Sequence, residues 1–462
     1  MAELPADDRK MSDAEGLMWR LEKDPYLSST FGTVSILDRP PDVDRLRERM
    51  ERAVAGVPRL GWRVQPAPAD LAAPRWADDL EFDIDYHVRR LALPRPGTLR
   101  QLLELASVLI LDPFDRTRPL WQFFVVEGLR GGKAALVQKM HHTITDGVGG
   151  VQLAMQYLDL ERDARDLPPL RPVDAEPPPV PSPLELATDT VRTLIAAGIR
   201  LPLGVARQVG SLLADPASIP GANRAAVETV RGIVTQLTDT ERAHSPLWRE
   251  RSLHRHLAVA RAPFRETLDA ARRLGGTLNI AFLTAAAEAA GRYHRELGAP
   301  VESLRASMAI STRTDTAAAN AFSLARLDVP TGEMPIAERF RLVTEAADRA
   351  RERSDGASLA ALAGLAAVLP TSLVTRLARQ QSQTIDFATS NVKGSPVPVF
   401  IAGAQLLENY PAGPLVGVAF NLTLLSYHGS LDMGINVDPA AVAEPERLGR
   451  LLNRAFRQLA RS

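Results

Sequence analysis

Apolar positions alternate or cluster in short runs in some segments and recur at helical spacing in others, so strands and helices are mixed along the whole chain. Lys133 to Met140 is short, largely apolar and bounded by Gly131-Gly132, which predicts a strand. Two further strand regions are predicted before it, Thr30 to Leu37 and Trp121 to Glu127, with helices near 42–56 and 99–111. The later part of the chain predicts a strand over Ser252 to Ala260 and helices around 264–274 and 278–296. It continues with strands near 304–311 and 322–329, long helices from about 335 to 382, strands near 386–392, 397–407, 415–426 and 431–437, and a terminal helix from about 442.

Two uncharged stretches are long enough to be weighed as membrane spans. Gly356 to Thr375 is mostly Ala, Gly and Ser with Pro370 inside it, and suits a buried helix pair. Asn409 to Leu431 is punctuated by Pro411, Gly413, Pro414, Gly417 and Gly429, while Val416, Val418, Phe420, Leu422 and Leu424 alternate. That pattern predicts two buried strands, and no transmembrane helix is expected.

The chain has 462 residues with 45% hydrophobic content, more than one core usually supports. Pro168, Pro169, Pro172, Pro177, Pro178, Pro179, Pro181 and Pro183 mark an extended connector. The expected division is residues 1–165, a connector over 166–220, and residues 221–462. Each half mixes a sheet with covering helices, an α/β chain of the α+β type long enough to enclose a buried tunnel. Within the connector, Leu184 to Leu213 places Leu186, Val191, Leu194, Ile195, Ile199 and Leu203 against Arg192, Arg200 and Arg207. It is either a helix lying on a membrane surface or one packed across the two halves, and Pro202 interrupts the first pattern.

Lys+Arg 55 against Asp+Glu 55 leaves no net field, which argues against a nucleic-acid partner and against simple attraction to anionic lipid. Cysteine is absent, so a cysteine nucleophile, disulfides and thiolate metal sites are excluded. The charged start, Met1 to Lys10, shows no signal peptide, and a cytoplasmic location is expected.

The chemistry concentrates in His141-His142-Thr143-Ile144-Thr145-Asp146-Gly147. Side chains alternate along a strand, so His141 and His142 are expected on opposite faces. A neutral imidazole titrates near pH 6.5 and can take a proton from a hydroxyl and return it to a leaving group. Asp146 either fixes the imidazole or locks the loop through an arginine, or it caps a helix in which Val151, Ala154, Met155 and Leu158 recur. Gly147 allows the tight turn. A metal would need a third ligand, and none is adjacent. From the residues alone, the His-His pair is either buried structure or a base.

His-His-x-x-x-Asp-Gly resembles the signature of the chloramphenicol-acetyltransferase-like superfamily. Within it, nearly the whole chain is similar to the bacterial wax ester synthase/diacylglycerol acyltransferase family. The match is carried by Met11-Ser-Asp-Ala-Glu-Gly-Leu-Met-Trp19, Pro119-Leu120-Trp121, Ser311-Thr312-Arg313, Ser390-Asn391-Val392 with Gly394, and Tyr410-Pro411.

The resemblance implies two chloramphenicol-acetyltransferase-like domains around a central substrate tunnel. It implies transfer of a long-chain acyl group from acyl-CoA, a substrate and not a cofactor, to diacylglycerol or a long-chain alcohol. His142 would be the general base, His141 its support, and no acyl-enzyme would form; the chain also has no Gly-x-Ser-x-Gly elbow. Pro119, Leu120 and Trp121 would lie along the tunnel, or Trp121 would pack the core. Arg313 would pair with Asp146 or another buried carboxylate, or stand on the surface. Asn279 would contact substrate, and Ser390 and Asn391 would contact substrate or the oxyanion, though Asn-x-Gly sequences also mark turns. No resident cofactor or metal is expected, and peripheral membrane or lipid-droplet contact is. Oligomeric state is left open. Two departures from the family pattern stand out: Asn279-Ile280 where an Asn-Asp pair is usual, and Lys393 where proline follows Ser-Asn-Val. They point to an altered substrate, with a natural-product or glycolipid acceptor, or a silent lipid-binding protein, as alternatives.

Overall fold

The computed structural model describes residues 9–67, 74–145, 150, 153–164, 243–311, 322–354 and 371–462. The Pro-rich run, the Leu184 to Leu213 region and Gly356 to Pro370 lie outside them. The first part contains α1 (Asp13–Leu21), β1 (Thr30–Leu37), α2 (Val43–Gly56), β2 (Trp62–Gln65), β3 (Arg75–Asp78), β4 (Val88–Ala92), α3 (Leu99–Leu111), β5 (Trp121–Leu129), β6 (Lys133–His141) and β7 (Leu158–Asp159). The second contains β8 (His256–Pro263), α4 (Phe264–Arg273), α5 (Leu278–Glu296), β9 (Ser303–Ser311), β10 (Phe322–Pro330), α6 (Ile336–Ser354) and α7 (Thr371–Ser382). It ends with β11 (Phe387–Lys393), β12 (Phe400–Ile401), β13 (Ala404–Ala412), β14 (Phe420–Tyr427), β15 (Ser430–Val437) and α8 (Pro445–Ala460).

Among the described residues the strands form a seven-stranded sheet, β4-β5-β6-β1-β13-β12-β7, a six-stranded sheet, β10-β9-β11-β14-β15-β8, and the small β2-β3 pair. The first sheet is apolar on both faces. Val34, Phe124, Ala135 and Val137 pack with Leu102, Ala106 and Ile110 of α3. Leu136, Met140 and Trp121 pack with Trp19 of α1 and Leu46, Met50 and Ala53 of α2. The second sheet is asymmetric. Phe420, Leu422, Leu424, Leu431, Met433 and Ile435 meet the α5, α6 and α8 helices. Its alternate positions, Asn421, Thr423, Asp432 and Asn436, are polar and buried.

That polar face is where the two sheets join, through β12 and β13, which follow the second sheet's first strands in sequence yet pair in the first sheet. The Asn409 N–H donates to Asp432 Oδ2 at 2.8 Å, and Asn436 Nδ2 donates to the Gly413 carbonyl at 2.9 Å. Arg261 Nε donates to Asp432 Oδ1 at 2.9 Å while its Nη1 reaches Glu408 at 3.2 Å. A buried carboxylate is costly unless paired. Here Asp432 is satisfied from both sheets.

Several predicted elements are displaced, each for a local reason. The strand expected over Ser252 to Ala260 runs from His256 to Pro263, because the Ser252 N–H and hydroxyl both bond the Asp438 carboxylate and turn the chain. The segment 397–407 splits into β12 and β13 at a two-residue turn with positive φ at both Ala402 and Gly403, and β13 then continues through Pro411. Helical spacing through Leu158 is not realised. Leu158 and Asp159 pair with Ile401 and Phe400, Asp159 is held by Arg49 at 2.9 Å, and Met155 is exposed. Among the described residues, no helix is long and apolar enough to cross a membrane.

Candidate active site

The His-His motif sits where β6 ends. Thr30 faces His141 on one side, Met140 faces Trp121 on the other, and the His141 N–H donates to the Leu120 carbonyl at 3.0 Å. The Pro-Leu-Trp segment and the histidines are therefore joined by backbone. The Ile144 N–H returns to the His141 carbonyl at 2.9 Å and closes a turn around His142.

His141 is buried. Its Nδ1 accepts the Thr143 N–H at 3.2 Å, with the Thr143 hydroxyl at 2.8 Å, and its Nε2 lies 3.0 Å from Glu22 Oε1. An acceptor Nδ1 places the ring's N–H proton on Nε2, the nitrogen that faces Glu22. Glu22 follows α1 and also accepts the Ser29 N–H. Burial pushes the Glu22 carboxyl up, but its hydrogen bond and attraction to His141, with hydrogen bonds from Ser29 and Ser28, outweigh that and hold it below its ordinary value.

His142 is half-buried and lies just past the strand. Its N–H donates to the Ser29 carbonyl at 3.2 Å, and its ring lies against Phe31 with centroids 4.5 Å apart. His141 instead meets Glu22 and the edge of Phe114. The two imidazoles thus have separate neighbours, as alternation predicts. Asp146, Gly147, the helix cap assigned to Asp146, and Arg313 lie outside the described residues.

Pro119, Leu120 and Trp121 are buried. The Trp121 indole N–H donates to the Leu60 carbonyl at 2.8 Å, and its ring stacks on His87 at 4.4 Å, with Phe82 5.0 Å from His87 and 6.4 Å from Trp121. Sequence reading missed His87, which ends a short helical turn; nothing in Asp83-Ile-Asp-Tyr-His87 distinguishes it from a surface residue. Its Nδ1 donates to the Trp121 carbonyl at 2.7 Å, and burial lowers its pKa to about 4. Lys139 was also missed. It is buried on the His141 side of β6, bonded to the Asp112 carbonyl, 4.3 Å from the Phe114 ring centroid, and lowered to about 8 by burial.

Ser390 and Asn391 are adjacent on β11 and so face opposite ways. Ser390 shares its face with Val392, which packs with Leu425 and Tyr427 in the cluster that also carries Phe31. It is paired with Thr423 across the ladder. Asn391 lies on the other face and is exposed. Asn279 and Ile280 open α5 in the helix layer of the second sheet. Asn279 Nδ2 contacts Met308 Sδ at 3.1 Å, and Ile280 is buried in the cluster with Phe340 and Met308. Among the described residues no His, Asp and Glu are grouped to hold a metal.

The family model described as the wax ester synthase/diacylglycerol acyltransferase catalytic domain matches residues 11–282. The chain belongs to the wax ester synthase/diacylglycerol acyltransferase family. The model of the family's C-terminal domain matches residues 318–460. A Mycobacterium tuberculosis protein named as a diacylglycerol O-acyltransferase is 33% identical over 467 residues, covering 99% of this chain and 93% of its own. The wax ester synthase/diacylglycerol acyltransferase of Marinobacter aquaeolei superposes with a TM-score of 0.65 at 20% identity, over 98% of both chains. The first condensation domain of the calcium-dependent antibiotic synthetase superposes with a TM-score of 0.57 at 16% identity, over 98% of this chain and 95% of its own. The expected two-domain chloramphenicol-acetyltransferase-like fold and the O-acyltransferase class are thereby borne out for this family member.

Proposed function

We propose that this chain transfers a long-chain acyl group from acyl-CoA to a lipid alcohol, diacylglycerol or a fatty alcohol, with His142 as the general base. The observation that carries the reading is the seating of His142. Its backbone is tied to Ser29, its ring rests on Phe31 and its Nδ1 is buried, which supports Nε2 as the nitrogen that acts on the acceptor. Nε2 takes the acceptor hydroxyl proton as the oxygen attacks the thioester carbonyl. The new C–O bond forms, the C–S bond breaks as the tetrahedral intermediate collapses, and the proton passes from His142 to the departing CoA sulfur.

Ser390 is favoured over Asn391 as a donor toward the oxyanion, because it shares its face with Val392. The reading includes a substrate tunnel that reaches the end of β6. The acceptor enters from a lipid surface that the protein meets peripherally, and the halves divide at the connector over 166–220. The test is CoA release by wild type and His142→Ala with diacylglycerol, long-chain alcohols and polar alcohols as acceptors. Loss of a general base costs on the order of 10²- to 10⁴-fold in kcat. Wild-type release with lipid alcohols that is lost in His142→Ala supports the reading; a fully active His142→Ala overturns it.

A further inference from the structure

The geometry points to Glu22 as a positioning residue for this reaction, one that holds His142 through two separate paths. Glu22 Oε1 lies 3.0 Å from His141 Nε2 and also accepts the Ser29 N–H. The first contact fixes the tautomer in which His141 Nδ1 accepts the Thr143 N–H at 3.2 Å, which sets the backbone on the far side of His142. The second fixes the Ser29 peptide chain, whose carbonyl receives the His142 N–H at 3.2 Å. A single carboxylate oxygen thus governs the residues before and after the base as well as the base's own amide partner.

The segment that carries Glu22 is itself anchored from the other half of the chain. Arg20 Nε donates to Thr371 Oγ1 at 3.0 Å, and Arg379 of α7 sits 3.6 Å from Asp24 and over the Tyr26 ring at 4.1 Å. Glu22 therefore has little freedom to drift, which is what positioning a base requires; a displacement near 1 Å can cost about 10²-fold in rate. A structural carboxylate alone would need only one good partner. This one meets the histidine motif and the strand that faces it.

The inference rests on His142 as base, and the variants separate the two ideas. Glu22→Gln retains a carbonyl oxygen for both donors and an amide that can donate to Ser28, so kcat stays within about threefold of wild type. Glu22→Ala removes the shared acceptor, and kcat falls on the order of 10- to 100-fold while KM for acyl-CoA and the cooperative melt are kept. The double variant Glu22→Ala/His142→Ala is no slower than His142→Ala alone, because the positioning has nothing left to position. Nitrogen-15 spectra of labelled histidine show the Nε2–H tautomer at His141 in wild type and Glu22→Gln, and its loss in Glu22→Ala. Full activity in Glu22→Ala, or additive losses in the double variant, would overturn the role of Glu22 while leaving His142 intact. Full activity in His142→Ala overturns the base itself.

Discussion

Gly434 of β15 and Pro411 of β13 approach so closely that a Cβ on Gly434 would lie 1.8 Å from the Pro411 carbonyl oxygen. The obstacle is backbone, so neither side can swing away. Gly434→Ala is expected to destabilise by about 3 kcal/mol, at the upper end of ordinary overpacking, because it pushes apart the strands that join the two sheets. Urea denaturation measures the loss, and CoA release by the folded protein should fall with it. An unchanged midpoint would show that this junction is compliant.

The sequence made most elements legible because each carries its own periodicity. β1, for example, lies over Thr30–Leu37, as expected from its apolar run. What periodicity cannot show is which sheet a strand joins. Asn409 and Tyr410 belong to the first sheet by pairing with Ser35 and Val34, a choice made by contacts hundreds of residues apart. The histidine motif was equally legible, but Glu22 was not. Its partner His141 is far away in sequence, and a glutamate after a helix has no local mark of burial or pairing. Ile280 was noticed as a departure, yet only packing shows that its side chain faces Phe340 and the core.

Ile280→Asp follows from that placement. The family acid restored at this position would enter the apolar layer around Phe340, Met308 and Phe282. Burying a carboxyl there is expected to cost several kcal/mol, about 3 to 5, and to leave acceptor preference unchanged. A thermal melt together with the acceptor panel checks both parts. A stable variant with a shifted preference would place residue 280 in the substrate path.

Trp121→Phe separates core packing from substrate contact. The change removes the indole donor, leaves the Leu60 carbonyl without it and shrinks the slab that holds His87. A loss of about 2 to 4 kcal/mol is expected, from the unsatisfied acceptor and the cavity together. KM for acyl-CoA and the chain-length preference of the folded enzyme should stay within about twofold. Activity across acyl-CoA chain lengths is the measurement, and a changed preference would assign Trp121 to the tunnel wall.

His87 gives the fold an acid limit that can be assigned to one ring. Burial against Phe82 and Trp121 lowers its pKa from 6.5 to about 4, so in that window the unfolded chain binds a proton that the folded chain refuses. Its contribution is complete above pH 6.5, declines as pH falls toward about 4, and is constant below that, a total of about 3 kcal/mol. His87→Phe keeps a flat ring in the stack but cannot titrate, and it forgoes the bond to the Trp121 carbonyl. The variant should therefore be the weaker protein at pH 7, with the gap closing as the pH is lowered to 5. Other acid-sensitive groups titrate alike in both proteins, so urea midpoints at pH 7, 6 and 5 isolate the difference. Parallel curves would mean that His87 takes up its proton within the fold, and that the Trp121 slab opens to admit it.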